Sequence, residues 1–149
     1  MVTQNQTIWF KKDLTLDDLN SRRSKTLGDA LGIEFTEIGA DFLRGTMPVD
    51  HRTKQPQGIL HGGATAALAE TLGSVSAQLV MDHTKFFPVG LEINANHIKS
   101  VTHGQVTGTA RPAHIGKTTQ VWEIKVIDEK DDLVSICRLT ILNRSHSRI

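Results

Sequence analysis

Gln55-Pro-Gln-Gly-Ile-Leu-His61-Gly-Gly-Ala-Thr-Ala-Ala-Leu-Ala-Glu70-Thr-Leu-Gly-Ser74 decides the fold. It reads as a loop punctuated by Gly58, Gly62 and Gly63 that runs into an alanine-rich helix. Leu68, Leu72, Val75 and Leu79 recur at helical spacing and form an apolar stripe. At about 100° per residue the opposite face carries Gly63, Ala66, Ala67, Glu70, Gly73, Ser74 and Ala77. A solvent-facing helix would carry Lys, Arg and several Glu there. The pattern predicts a helix from about Leu60 to Met81, buried on both faces: large residues on its own sheet, small ones against a surface that comes close. Glu70 is the one carboxylate on the small face, with no Lys or Arg three or four residues away. A desolvated carboxylate of that kind calls for a reason.

Working outward, the upstream chain supplies short elements. Thr15-Leu-Asp-Asp-Leu-Asn20 reads as a short helix with Thr15 as N-cap, and Ser24 to Leu31 as a second helical piece. Residues 1–12 are mostly polar around Ile8, Trp9 and Phe10, and are expected to pack loosely. Gly32 to Ile38 and Phe42 to Val49 form a hairpin about Gly39-Ala-Asp41, with Pro48 at an edge or exit. A polar loop, Asp50 to Gly58, leads into the helix. Downstream come four strand signals without intervening helices: Val89 to Lys99, Gln105 to Arg111, Thr118 to Asp128 and Leu133 to Leu142. That order argues antiparallel pairing. The tail Asn143 to Ile149 reads as frayed. The architecture that fits is α+β: one long helix wrapped by a six-stranded antiparallel sheet, in one domain over 1–149 with 1–30 as a helical extension. A second subunit would cover the small helix face.

Composition narrows the function classes. The chain has 149 residues and a net charge of +1, so neither a nucleic acid nor an acidic polymer is an expected partner. No apolar run has membrane-spanning length and the N-terminus lacks a secretory h-region. The one cysteine, Cys137, fits a reducing cytoplasm. The seven histidines are scattered without metal-ligand spacing, so no metal is expected, and no Walker A or GxGxxG pattern is present.

Gln55-x-x-Gly58-x-x-His61-Gly62-Gly63, followed by Ala69-Glu70, resembles the hotdog-fold acyl-CoA thioesterases. The branch is that of the phenylacetate type and the Arthrobacter-type 4-hydroxybenzoyl-CoA enzymes. Thr46-Met-Pro-Val-Asp50, Arg52-Thr-Lys-Gln-Pro56, Gly90-Leu-Glu-Ile-Asn-Ala-Asn-His97 and Gln120-Val-Trp122 extend the likeness over nearly the whole chain. The resemblance implies hydrolysis of an aromatic or hydroxyaromatic acyl-CoA, with 1,4-dihydroxy-2-naphthoyl-CoA of menaquinone synthesis as leading substrate. An aroyl-carrier protein, in proofreading of enterobactin type, is the alternative. It implies no cofactor, coenzyme A being part of substrate and product, and a homotetramer built as a dimer of dimers.

The same resemblance points to the site. Glu70 falls on the catalytic carboxylate, as nucleophile or as general base toward water; residue chemistry leaves both open. Gly62 N–H falls on the oxyanion donor, where a helix start offers unpaired N–H groups and no Cβ obstructs approach. Gln55 and His61 stand at supporting positions. Ser74, one turn beyond Glu70, could position water. For the CoA end the matching segments are Gly90, His97, Ile98, Lys99 and Ser100, and the turn His114, Ile115, Gly116, Lys117, Thr118 and Thr119. His97 and Lys99 would share one strand face, and a lysine with turn amides suits phosphate. Two further readings compete. An (R)-specific enoyl-CoA hydratase shares the fold, but its Asp/His pairing is not evident here. A non-catalytic acyl-CoA sensor would need a DNA-binding segment for which the chain leaves no room.

Overall fold

The computed structural model describes residues 7–146. Its elements are α1 (Leu16–Ser21), α2 (Leu27–Ala30), β1 (Glu34–Ile38), β2 (Leu43–Pro48), α3 (Gly62–Leu79), β3 (Phe86–His97), β4 (Gln105–Ile115), β5 (Thr119–Ile127) and β6 (Leu133–Ser145). All strand pairs are antiparallel, in the order β1-β2-β4-β5-β6-β3, and α3 packs across β2 to β6. The expected helix wrapped by six strands is therefore what the chain forms. No helix among the described residues is long and apolar enough to cross a membrane.

The buried residues of α3 come in pairs one turn apart: Ala64 and Thr65, Leu68 and Ala69, Leu72 and Gly73, Ser76 and Ala77. This corrects the expected division of the helix. Gly73 and Ala77 face the sheet; a Cβ on Gly73 would lie 2.6 Å from Leu139 Cδ2. Their smallness lets α3 sit close on β5 and β6. Leu68 and Leu72 are fully buried, and Leu72 fills the notch left by Gly108 on β4, where a Cβ would come within 2.5 Å of its Cδ1. Each such leucine contributes about 1.5–3 kcal/mol of apolar burial. Val75 and Leu79 are only half-buried and face α1 and α2.

Several boundaries moved for local reasons. Thr15 closes a capping box with Asp18, as its position suggested. α2 does not begin at Ser24, because Lys25 has φ +62° and the helix starts only after the Thr26 N-cap. Gly32, at φ +69°, ends it. β4 runs past Pro112 to Ile115, since its pairing with β2 stops at Ala110 and Pro112 needs no partner on that side. β6 extends through Asn143, Arg144 and Ser145, paired with Pro88, Phe87 and Phe86 of β3, so these polar residues are strand and not tail. Trp9 is buried, stacks on Trp122 at 6.5 Å and donates its indole N–H to Gly39 O at 2.7 Å, so the segment around it is not loose. Residues 1–6 and 147–149 lie outside the described residues.

Candidate active site

The loop that delivers Gln55 and His61 is fixed by its first residues. Asp50 accepts hydrogen bonds from Arg52 N–H (2.9 Å) and from its guanidinium (2.7 Å at Nη2), and these hold the Asp50 carboxyl down at about 2. Buried Thr53 donates to Pro48 O at 2.7 Å, and Thr53 O accepts from His61 N–H at 2.8 Å. Gln55 N–H bonds Ile59 O and Gly58 N–H bonds Gln55 O, each at 2.9 Å, a closed turn that Gly58 permits at φ +81°. Gln55 Oε1 accepts from Gln57 N–H at 2.5 Å. The amide group left free is therefore the NH2, a donor.

His61 is the N-cap of α3, and its Nδ1 accepts from Gly63 N–H at 2.8 Å. That bond assigns the neutral ring's proton to Nε2. It also uses the Gly63 donor. Gly62 N–H has no acceptor among the described residues and stands at the positive end of the helix. A Cβ on Gly62 would lie 2.7 Å from His97 Nε2, so glycine alone lets this histidine approach the helix start. Gln55, Gly62, His97, Ile98, Lys99 and Ser100 border one cleft.

Glu70 lies elsewhere. Its Oε1 is 2.7 Å from where a Cβ on Gly90 would be, and Ser74 Oγ donates to it at 3.4 Å. It is half-buried and makes no ion pair among the described residues. Eight residues of α3 separate Gly62 from Glu70, a rise of about 12 Å. Within one chain the structure thus gathers two groups: Glu70, Ser74 and Gly90, and Gln55, Gly62 and His97 with His61 beside them. Thr71 and Val75 border an apolar groove of about 320 Å³ with Leu19, Leu27, Phe35 and Leu79. Among the described residues no three His, Cys, Asp or Glu side chains converge as metal ligands.

Lys99 differs from its expected setting. β3 ends at His97, so Lys99 does not share a strand face with it. Its ammonium sits 2.5 Å from both Asp128 and Asp132. Hydrogen bonds to Asp128 and then Asp132 push its pKa up, and the Asp128 carboxyl is lowered by the same contact. Lys99 clamps the β5–β6 connection and is not a free cation. The expected turn from His114 to Thr119 is shorter than its spacing suggested: His114 and Ile115 close β4 and Thr119 opens β5, which leaves 116–118 as the connection. Lys117 is exposed with no ion pair among the described residues, and it borders a cleft with Phe86, Thr118 and Arg144. Arg144, at the same cleft, falls in a stretch that the sequence reads as tail.

Residues 57–135 match the thioesterase superfamily. The chain belongs to that superfamily. A 1,4-dihydroxy-2-naphthoyl-CoA hydrolase of Escherichia coli is 48% identical over 133 residues, 89% of this chain and 96% of the relative. A proofreading thioesterase of Cronobacter turicensis is similar to the same extent, 48% over 133 residues and the same shares of the two chains. Among solved structures, a Pseudomonas aeruginosa thioesterase superposes with TM-score 0.91 at 40% identity, covering 93% of this chain and 99% of its own. A Staphylococcus aureus thioesterase superposes with TM-score 0.77 at 41% identity, over about four-fifths of this chain and 98% of its own. The hotdog fold and thioester hydrolysis expected from the sequence are borne out by this membership. In this thioesterase the strands and the helix are those of the hotdog architecture, and α3 is its central helix.

Proposed function

We propose that this thioesterase hydrolyses an aromatic acyl-CoA at a site built from two chains. One observation carries the reading: Glu70, a half-buried carboxylate, lies about 12 Å along α3 from the Gly62 N–H, and among the described residues the first has no cationic partner and the second no acceptor. No single thioester carbon touches both in one chain. Among the described residues β3 is an edge strand, paired only with β6. Two β3 edges joined antiparallel about a two-fold axis near Ile93 and Asn94 would bring Gly90 of one chain opposite His97 of the other. Glu70 lies on Gly90 and Gly62 on His97, so the same pairing brings carboxylate and oxyanion donor together twice per dimer. The dimer further pairs into a tetramer.

In such a site the thioester carbonyl accepts from Gly62 N–H, with the Gln55 NH2 as a second donor and His61 Nε2–H toward the sulfur. Glu70 of the partner chain attacks the carbonyl carbon, giving an anhydride that water opens, or takes a proton from water as it attacks. Either route consumes one water and releases a carboxylic acid and the CoA thiol. Ser74 steadies the carboxylate. Solved forms of the S. aureus relative carry alanine in place of a glutamine and of a glutamate fifteen residues apart, the separation of Gln55 and Glu70. That spacing supports pairing the two residues in one function.

The leading substrate is 1,4-dihydroxy-2-naphthoyl-CoA of menaquinone synthesis, which the apolar groove beside Thr71 and Val75 suits in size and polarity. The equal likeness to a proofreading thioesterase favours an aroyl-carrier protein as the second reading. CoA and an unpaired Cys137 thiol both fit the cytoplasm. Release of free thiol decides between them when followed on the naphthoyl-CoA, 4-hydroxybenzoyl-CoA, a long-chain acyl-CoA and an aroyl-carrier protein. The reading expects the highest kcat/KM for the naphthoyl-CoA; a preference for the carrier protein selects the alternative, and no release from any of them defeats both.

A further inference from the structure

Behind the turn at Gly116–Thr119 runs a chain of amide hydrogen bonds with a fixed direction. Trp122, fully buried on β5, donates its indole N–H to Gln120 Oε1 at 2.9 Å. An indole nitrogen can only donate, so the Gln120 oxygen must face it and the Gln120 NH2 must face away. That NH2 donates to Asn143 Oδ1 at 2.8 Å and to Ala77 O, an unpaired carbonyl near the end of α3, at 3.3 Å. With its oxygen taken, Asn143 turns its own NH2 to the turn, donating to Gly116 O at 2.9 Å and Lys117 O at 3.3 Å. Asn143 N–H adds a bond to Thr118 O at 2.8 Å. One residue thus draws three successive carbonyls inward.

A trans peptide sets its N–H opposite its C=O. Carbonyls of Gly116 and Lys117 turned inward therefore turn the N–H groups of Lys117 and Thr118 outward, and neither has an acceptor among the described residues. Outward amides beside the exposed Lys117, at the edge of a cleft, are donors of the kind that suits an anion. We propose that Asn143, aligned through Gln120 by the Trp122 indole, is the positioning residue that aims this turn at the phosphates of CoA. The proposal rests on the reading of the turn as the nucleotide end of the substrate site. The donor-only indole supplies direction: an amide chain without it could flip end for end and present Asn143 Oδ1 to the Gly116 and Lys117 carbonyls.

The test compares KM for 4-hydroxybenzoyl-CoA with KM for 4-hydroxybenzoyl-pantetheine, which lacks the nucleotide and its phosphates. Lys117→Ala is the control for the turn itself. Asn143→Leu keeps the branched shape and removes every side-chain hydrogen bond; Trp122→Phe keeps an aromatic ring against Trp9 and removes the indole donor together with one ring of a fully buried side chain. Expected are a rise in KM of about fivefold for the CoA thioester with Asn143→Leu and a smaller rise with Trp122→Phe, with KM for the pantetheine thioester and kcat unchanged. Equal rises for both thioesters, or no rise with Asn143→Leu when Lys117→Ala shows one, overturn the positioning role. No effect of Lys117→Ala on either thioester overturns the reading of the turn, and the proposal falls with it.

Discussion

The two stretches of α3 that carry the candidate site are built by opposite rules. At its first turn the helix offers donors: an unpaired Gly62 N–H and, from the loop before it, a Gln55 amide whose oxygen is already tied down. Two turns later it offers an acceptor, Glu70, held against bare backbone at Gly90 with one weak hydroxyl contact from Ser74. Each end leaves its charge or dipole unanswered among the described residues. Two unanswered groups of opposite sense on one helix, too far apart to meet, are what a two-fold assembly can pair.

Breaking the acceptor end should have the largest effect. Glu70→Gln keeps the shape and removes the charge, and kcat should fall by about 10³-fold at unchanged folding, read from thiol release and circular dichroism. Activity near wild type would remove Glu70 from the chemistry. At the donor end the N–H is backbone and survives substitution, so it must be blocked. Gly62→Ala puts a methyl 2.7 Å from His97 Nε2, across the approach to the N–H. A loss of about 10²-fold in kcat is expected. If Gly62→Ala raised KM alone, the helix start would be a binding surface and not the oxyanion site.

Smaller effects sharpen the contrast between two lysines. Lys117→Ala should raise KM for acyl-CoA roughly fivefold and leave Tm unchanged. Lys99→Ala should do the reverse, lowering Tm with KM unchanged, because Lys99 is held by Asp128 and Asp132. The smallest effect concerns acid stability of the loop that sets the donors. The Asp50 carboxyl ionises at about 2 in the fold against 3.8 ordinarily, so its stabilisation is complete above pH 4 and is lost as pH falls from about 4 to about 2. Thermal unfolding across that window should show a loss in wild type that Asp50→Asn lacks; parallel curves would mean that Asp50 does not anchor the loop.

How much of this could be read in the sequence follows from which interactions are local. The helix, the six strands and the N-terminal cap obey periodicity and turn chemistry, and were legible. Gly73 and Ala77 were assigned to the wrong neighbour because a small side chain says only that something is close. Leu139 comes close to Gly73 from sixty-six positions away. Lys99 looked free because its partners lie 29 and 33 residues further on. Asn143 and Arg144 looked like a tail because half-exposed edge pairing leaves no alternation to read, and only the start of β3 makes them strand. Glu70 and Gly62 stood out for a different reason: each breaks the local rule of its surroundings, and such breaks concentrate at functional positions.

The shared site is tested most directly by mixing two inactive chains. Glu70→Ala alone should be nearly inactive, and so should a chain carrying both Gln55→Ala and His61→Ala. Unfolded and refolded together, with different tags, half the dimers are mixed under random pairing, and each mixed dimer holds one site complete in every residue. Thiol release should return toward about a quarter of wild type. Mixed dimers recovered by sequential tag pull-down that show no activity would contradict a site built from two chains.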